Sequence, residues 1–203
     1  MQASGSGGPR GERAARVCLA AAQCPLAIFT DEHFLQRQIC ADMETLADAQ
    51  GPRPDLAAAV LENLCHDLPQ HLADEEQGLF PLLRAHAAPE DEIDVLIARL
   101  EADHEVSEAA FFDLADVLEK MTGGALPDES ARALLRASAA ARRRHLILEN
   151  AVLLPLARAR LTEADRAGLL AQMRARRSAS PQAVSAAAPC ACRTAAAPEE
   201  TPT

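Results

Sequence analysis

The segments His71-Leu-Ala-Asp-Glu75, His104-Glu-Val-Ser-Glu108 and His145-Leu-Ile-Leu-Glu149 each place a histidine four residues before a glutamate. On an α-helix, residues i and i+4 lie one above the other, so each pair aims an imidazole and a carboxylate in the same direction. Histidine and carboxylate together suit iron, manganese or zinc, whereas calcium prefers oxygen ligands alone. The repeated pattern therefore predicts helices that point metal-binding groups at one another.

Each of these segments lies inside a longer stretch in which apolar residues recur at helical spacing. The spacing predicts helix A over about 25–49, helix B over 55–85, helix C over 91–121, helix D over 128–161 and a short helix E over 162–177. Pro69 and Pro81 are expected to kink or split helix B, because proline has no N–H and crowds the preceding turn. Thr162 and Asp165 form a capping box that predicts the start of helix E.

The His–Glu pairs of helices B, C and D fall in the middle of the apolar stripe rather than on the polar face. His33 has a similar position in helix A, and the stripe of helix D continues to Val152. Charged groups on a buried face are costly unless they are paired or bound to metal. One pair could be an internal ion pair, but three pairs with a fourth histidine indicate a bound cation. Ser138 and Ala141 are small enough to leave room beside His145.

Other polar residues have simpler interpretations. His66 is predicted on the outer side of helix B, and His86 lies too far along the axis from Glu75 to share a centre with it. The run Arg142-Arg143-Arg144 is typical of a solvated face beside acidic neighbours. A ferritin-like di-iron site would need repeated Glu-x-x-His spacing, and only Glu101-x-x-His104 provides it.

Composition limits the class of protein. The 203 residues include no Trp or Tyr and carry a formal charge of −10, which favours helix over sheet and disfavours nucleic-acid or anionic-membrane partners. No apolar run reaches transmembrane length, and the six cysteines form no framework of a small secreted domain. We expect an all-α cytoplasmic protein, with a flexible arm at 1–24, one domain at 25–177 and a disordered Ala/Pro-rich tail at 178–203.

The ordered set of motifs resembles the hemerythrin-like, HHE cation-binding domains over residues 25–160. The resemblance rests on Asp31-Glu32-His33 and on the segments that begin at His71, His104 and His145. It implies an up-down four-helix bundle, here followed by a short fifth helix, with a non-haem di-iron centre that reacts with oxygen or a related small molecule.

The resemblance also implies a role for each ligand. His33 and His71 would bind one iron, while His104, His145 and Glu108 would bind the other. The carboxylates of Glu75 and Glu149 would bridge the two irons.

This sequence departs from the oxygen-carrying members in having Glu108 where those proteins have a second histidine of helix C. The position of Glu149 is an aspartate at a longer spacing in the carriers, which is a second departure. An added carboxylate would favour Fe(III) over Fe(II). Sensing, binding or storage of iron, oxygen or reactive oxygen and nitrogen species is therefore expected, with a diatomic molecule or peroxide as ligand. The alternative is a di-iron enzyme that consumes peroxide or nitric oxide, or donates iron for Fe–S cluster repair.

Overall fold

The computed structural model describes residues 23–179, and every regular element in that range is a helix. The predicted arm at 1–24 and tail at 178–203 lie outside the described residues except at their inner ends. None of the described helices is long and apolar enough to cross a lipid bilayer.

Helix A is α1 (Pro25–Ala47). Helix B is continuous and consists of α2 (Pro54–Glu62), a π-helical segment (Asn63–Asp67), α3 (Leu68–Asp74), a second π-helical segment (Glu75–Leu79) and α4 (Phe80–His86). A 3₁₀ turn (Pro89–Asp91) precedes helix C, which consists of α5 (Ile93–Ala109) and α6 (Phe111–Thr122). Helix D consists of α7 (Glu129–Leu148), a π-helical segment (Glu149–Leu153) and α8 (Leu154–Arg160), and helix E is α9 (Glu163–Ala179).

Proline is accommodated in helices B and D by π-helical turns, not by breaks. Pro69, Pro81 and Pro155 each stand six residues after the first residue of a π-helical segment. In each segment the last bond spans five residues, as where the amide of Phe80 donates to the carbonyl of Glu75. Because the turn is wider at this point, the helix continues without the hydrogen bond that the missing N–H of proline would have donated. The predicted disruption of helix B is therefore a local widening of the turn.

The π-helical turn also corrects the predicted register of helix D. Regular spacing placed Val152 on the buried stripe after Glu149. In the structure Val152 is 42% exposed, whereas Leu153 and Leu154 are buried. The extra residue in the turn shifts all later side chains around the axis, which regular α-helical spacing does not anticipate.

Helix C is interrupted at Ala110, between α5 and α6. No proline or glycine lies at this point, but the hydroxyl of Ser107 donates to the carbonyl of Asp103 at 3.0 Å. Such bonds to the preceding turn commonly bend helices. The interruption falls six residues after His104 and, as in helix A, no π-helical turn follows the histidine.

Two apolar clusters show that each of the four long helices runs antiparallel to the helix before it in the chain. The first cluster joins the start of α1, the ends of helices B and D, the start of α5 and part of α9. The second joins the end of α1, the start of helix B, α6 and the start of α7. This is the up-down arrangement of a four-helix bundle. The layer between the two clusters holds the buried histidines and glutamates.

The fifth helix packs against the side of the bundle. Its start is confirmed as a capping box, because the amide of Thr162 donates to Asp165 and the amide of Asp165 donates to the Thr162 hydroxyl. Gly78 permits the close approach of α9, since a Cβ there would lie 2.6 Å from Leu169 Cδ1. Helix E is thus in contact with helix B beside the second π-helical segment.

Candidate metal centre

The polar layer of the bundle brings together six of the seven predicted ligands. All six residues are at most 6% exposed: His33, His71, Glu75, His104, His145 and Glu149. They form two overlapping groups, each with two histidines and the same two glutamates. His66 is exposed and His86 contacts Asp165 of α9, so neither histidine belongs to the centre.

The two glutamates lie between the histidine pairs. Glu75 Oε1 is 3.3 Å from His71 Nε2 and 3.9 Å from His33 Nε2, while Glu75 Oε2 is 3.5 Å from His104 Nε2. Glu149 Oε1 is 2.9 Å from His145 Nε2, and its Oε2 is 3.4 Å from His33 Nε2. Each carboxylate therefore offers one oxygen to each half of the cluster, which is the arrangement of a bridging ligand.

Glu108 is not part of this cluster, because its side chain is exposed. The buried positions of α5 are Ile93, Ile97, Leu100 and His104, in steps of four, three and four. The next step of three leads to Ser107, which is half-buried, and leaves Glu108 beside the stripe. The expectation that Glu108 ligates the second iron therefore has no support in the structure. Both halves of the cluster have the same donor set.

Unpaired polar atoms indicate that the cluster is built for a cation. Among the described residues, Nε2 of His33 and His71 and both carboxylate oxygens of Glu75 and Glu149 are buried without a hydrogen-bond partner. Buried polar groups are almost always satisfied by protein or water. Two atoms bound to one ion at about 2.1 Å would be about 3 to 4 Å apart, which is the range of the spacings seen here. The donors thus fit one metal ion in each half.

The electrostatics of the cluster without metal show an excess of negative charge. Burial lowers the pKa of the His71 imidazole, but the carboxylates of Glu75 and Glu32 outweigh it and hold that pKa well above its usual value. Burial together with the charge of Glu75 raises the pKa of Glu149. In the absence of metal, His71 and Glu149 therefore tend to retain protons. These protons balance negative charge that bound cations would otherwise balance. Metal binding would displace these protons, as it does when ligands must be deprotonated.

A ring of four polar side chains surrounds the histidines, each from a neighbouring helix, and three of the four hydrogen-bond to a histidine. Glu32 of α1 contacts His71 Nδ1 at 2.9 Å, and Glu76 of helix B contacts His104 Nδ1 at 2.7 Å. Asn150 of helix D lies 3.3 Å from His33 Nδ1, whereas Asp103 of α5 lies 3.6 Å from His145 Nδ1, which is too long for a hydrogen bond. Such contacts fix the ring orientation of metal-binding histidines and raise their basicity.

Every member of this ring is adjacent in sequence to a ligand on its own helix. Glu32 precedes His33 and Asp103 precedes His104, while Glu76 and Asn150 each follow a bridging glutamate. One residue along a helix turns by about 100°, which directs the side chain towards the next helix. Sequence analysis alone did not assign such roles to Glu32, Asp103 or Asn150, although the adjacency is a usable signal.

Helix E extends this ring through two arginines. Arg177 donates to Glu32 at 2.6 Å and also to Asp74, and Arg176 donates to Asp74 at 2.6 Å. Asp74 is fully buried and adjacent to Glu75. The contact from Arg177 through Glu32 to His71 therefore connects the fifth helix to one half of the cluster.

Replacing Arg177 by alanine is expected to weaken metal binding about 10-fold, the lower end of the usual cost of removing an outer contact, because Arg177 acts on His71 only through Glu32. Without Arg177, Glu32 is less firmly held against His71. Competition with a chelator of known affinity measures the change. Arg166→Ala on the same helix is the control, because Arg166 donates to the Arg158 carbonyl. Equal affinity in the Arg177→Ala and Arg166→Ala proteins would contradict the role of this contact.

Comparison with known proteins agrees with the geometry. Curated proteins gave no match to this chain. Residues 24–157 match the hemerythrin HHE cation binding domain. The matched range includes all six clustered side chains and ends before α9, so the helix that carries Arg177 lies outside it. Since the match covers most of the chain and the buried histidines and glutamates lie within it, the protein belongs to the hemerythrin family of HHE cation-binding domains.

Proposed function

We propose that the protein binds two non-haem irons, bridged by carboxylates, and uses them to sense, bind or store iron, oxygen or reactive oxygen and nitrogen species. The observation that supports this most strongly is the sharing of Glu75 and Glu149 by two histidine pairs. His33 and His71 would hold one iron, and His104 and His145 the other.

The chemistry of the donors is compatible with iron. Each half offers two imidazoles and two shared carboxylate oxygens, a nitrogen and oxygen set that suits iron, manganese or zinc and has no thiolate to favour Cu(I). Carboxylate-bridged di-iron sites in helical bundles use the same kinds of ligand. Bound irons would supply redox chemistry and open coordination positions for a small molecule.

The exposed position of Glu108 changes the expected behaviour of the centre. With Glu108 as a ligand, the second iron would carry an extra anionic donor and Fe(III) would be favoured. Both halves of the cluster offer the same kinds of donor, so neither iron would be set apart by charge. Reversible binding of a small molecule thus becomes compatible with the donor set. The surrounding apolar clusters limit access of water, which helps to protect a reduced metal.

Metal analysis and absorption spectroscopy of the protein, purified without added metal, test the proposal. We expect about two irons per chain and, in air, the absorption of an oxo- or carboxylate-bridged diferric centre. Preparations reconstituted with Fe(II), Mn(II) or Zn(II) under anaerobic conditions show which ion binds most tightly. A protein that holds no metal, or that prefers Zn(II) at one ion per chain, would overturn the assignment.

The same preparation separates binding from catalysis. If the centre senses or binds, one addition of peroxide or nitric oxide changes its spectrum once and is consumed in proportion to the protein. Steady consumption over many turnovers, abolished in the Glu75→Ala protein, would instead assign the alternative role of a di-iron enzyme.

A further inference from the structure

A cavity of about 310 Å³ lies in the bundle on the side of the second apolar cluster. Its lining includes one residue a single turn from each histidine: Gln36, Leu68, Ser107 and Arg142. Gln36 and Ser107 stand three positions after His33 and His104. Leu68 and Arg142 stand three positions before His71 and His145. The cavity is therefore the layer next to the metal cluster, and no clustered ligand is part of its wall.

The cavity exists because small side chains face each other across α5 and α7. Ser107 and Ala110 on one side meet Ala137, Ser138 and Ala141 on the other. Deeper in the bundle, the wall is apolar and includes Met43, Val60, Leu64 and Leu114. Larger residues at the facing positions would fill this space, since protein interiors normally pack without such voids.

Two polar side chains in the wall of the cavity, Gln36 and Arg142, lack a partner of the kind that buried polar groups normally have. Gln36 is 4% exposed, and its Nε2 has no hydrogen-bond partner among the described residues. Arg142 is half-buried and donates to Gln36 Oε1 at 3.2 Å, but within the described part of the chain no carboxylate lies within ion-pair distance of it. By contrast, the adjacent Arg143 pairs with Glu44 at 2.7 Å.

Arg142 must keep its charge inside the cavity. Burial lowers the pKa of its guanidinium from the ordinary value, while Glu149 and Glu75 act in the opposite direction. An arginine side chain nevertheless stays protonated in proteins. When the two glutamates are engaged by metal, their charge is shared with the bound cations, and they compensate the charge of Arg142 less. The predicted solvated role of Arg142 was wrong, because its side chain lines the interior.

We propose that this cavity is a second ligand site that binds a small organic monocarboxylate. The carboxylate would accept hydrogen bonds from Arg142 and from Gln36 Nε2, and the hydrocarbon chain would lie among Met43, Leu64 and Leu114. A guanidinium with a neighbouring amide donor matches the two oxygens of a carboxylate. The volume is at the lower end of that of small-molecule sites, which suits a short aliphatic acid. The proposal goes beyond the proposed function and does not depend on which metal is bound.

Calorimetric titration of the metal-containing protein with sodium octanoate tests the proposal. We expect one octanoate per chain and at least tenfold weaker binding of acetate, which has the carboxylate without the chain. Octan-1-ol, which has the chain without the charge, should also bind at least tenfold more weakly. Acetate or octanol binding as tightly as octanoate would overturn the assignment, as would an absence of octanoate binding.

Variants locate the site within the molecule. Arg142→Leu is expected to weaken octanoate binding at least tenfold, while Arg143→Leu removes the same charge one residue away and should leave it unchanged. Ser138→Leu fills the cavity and should abolish binding while bound metal is retained. Arg142→Gln keeps a polar group and tests the charge alone if the leucine variant does not fold. Octanoate binding that is insensitive to both Arg142→Gln and Ser138→Leu would place the ligand elsewhere, for example on the metal.

Discussion

Replacing Glu75 by alanine is expected to abolish tight metal binding in both halves of the cluster. The loss should exceed about 100-fold in affinity, the upper limit for removing an outer contact only. Glu75 Oε1 faces the histidines of α1 and α3, and its Oε2 faces His104 of α5. A single substitution therefore removes one donor from each metal ion. Glu149→Ala should behave in the same way.

The protein should still fold without this side chain. Glu75 is fully buried and both of its oxygens lack hydrogen-bond partners among the described residues, so the substitution breaks no hydrogen bond and removes a costly buried charge. Metal content per chain, measured after dialysis against a weak chelator, gives the result. Circular dichroism verifies that the helices remain.

Glu108→Ala is the matched control, since it also removes a glutamate four residues after a histidine. Glu108 is exposed, and we expect wild-type metal content and an unchanged spectrum. If Glu108→Ala loses metal as Glu75→Ala does, then α5 must rotate in the metal-bound protein, and the role of Glu108 that the sequence suggested would be restored.

Removal of metal from the wild-type protein is expected to lower its thermal stability by about 8–16 °C. A ligand present at about 1,000 times its dissociation constant stabilises the folded state by about 4 kcal/mol. Each kcal/mol changes the melting temperature of a chain of this size by about 2–4 °C. The physical origin is the set of unpaired buried atoms of the cluster, which are satisfied only when a cation is present.

Differential scanning calorimetry with and without a chelator measures this shift. Helical content before melting should be nearly unchanged, because the two apolar clusters on either side of the polar layer do not require metal. The Glu75→Ala protein should show almost no shift on addition of the chelator. A wild-type protein that melts at the same temperature in both conditions would contradict a structural contribution of the metal.

The sequence was a good guide to the helices. Their order and approximate ends follow from apolar spacing and from the Thr162–Asp165 capping box, and the structure agrees with them to within a few residues. The π-helical turns could not be read from spacing that assumes 3.6 residues per turn. Their positions carry a signal in retrospect, because a proline stands six residues after Asn63, Glu75 and Glu149.

Two of these π-helical turns begin at the bridging glutamates, Glu75 and Glu149. Wider turns of this kind are frequent at functional sites. Leu79 and Leu153 lie in the core four residues after the buried carboxylates, and the wider turn changes the direction of the side chains that follow them. At Glu75 and Glu149, therefore, the start of a π-helical turn and a carboxylate of the cluster fall on the same residue.

The sequence by itself determined the donor set and its place in the chain, because helical geometry fixes that His71 and Glu75, or His145 and Glu149, share a face. Only the tertiary structure decided that Glu108 lies outside the centre. After His71 both Asp74 and Glu75 are buried, whereas after His104 Ser107 is half-buried and Glu108 is exposed. Which of the residues after each histidine is buried depends on how the helix packs against its neighbours. The same packing sets the positions of the bridging carboxylates, the ring of outer contacts and the cavity beside Arg142.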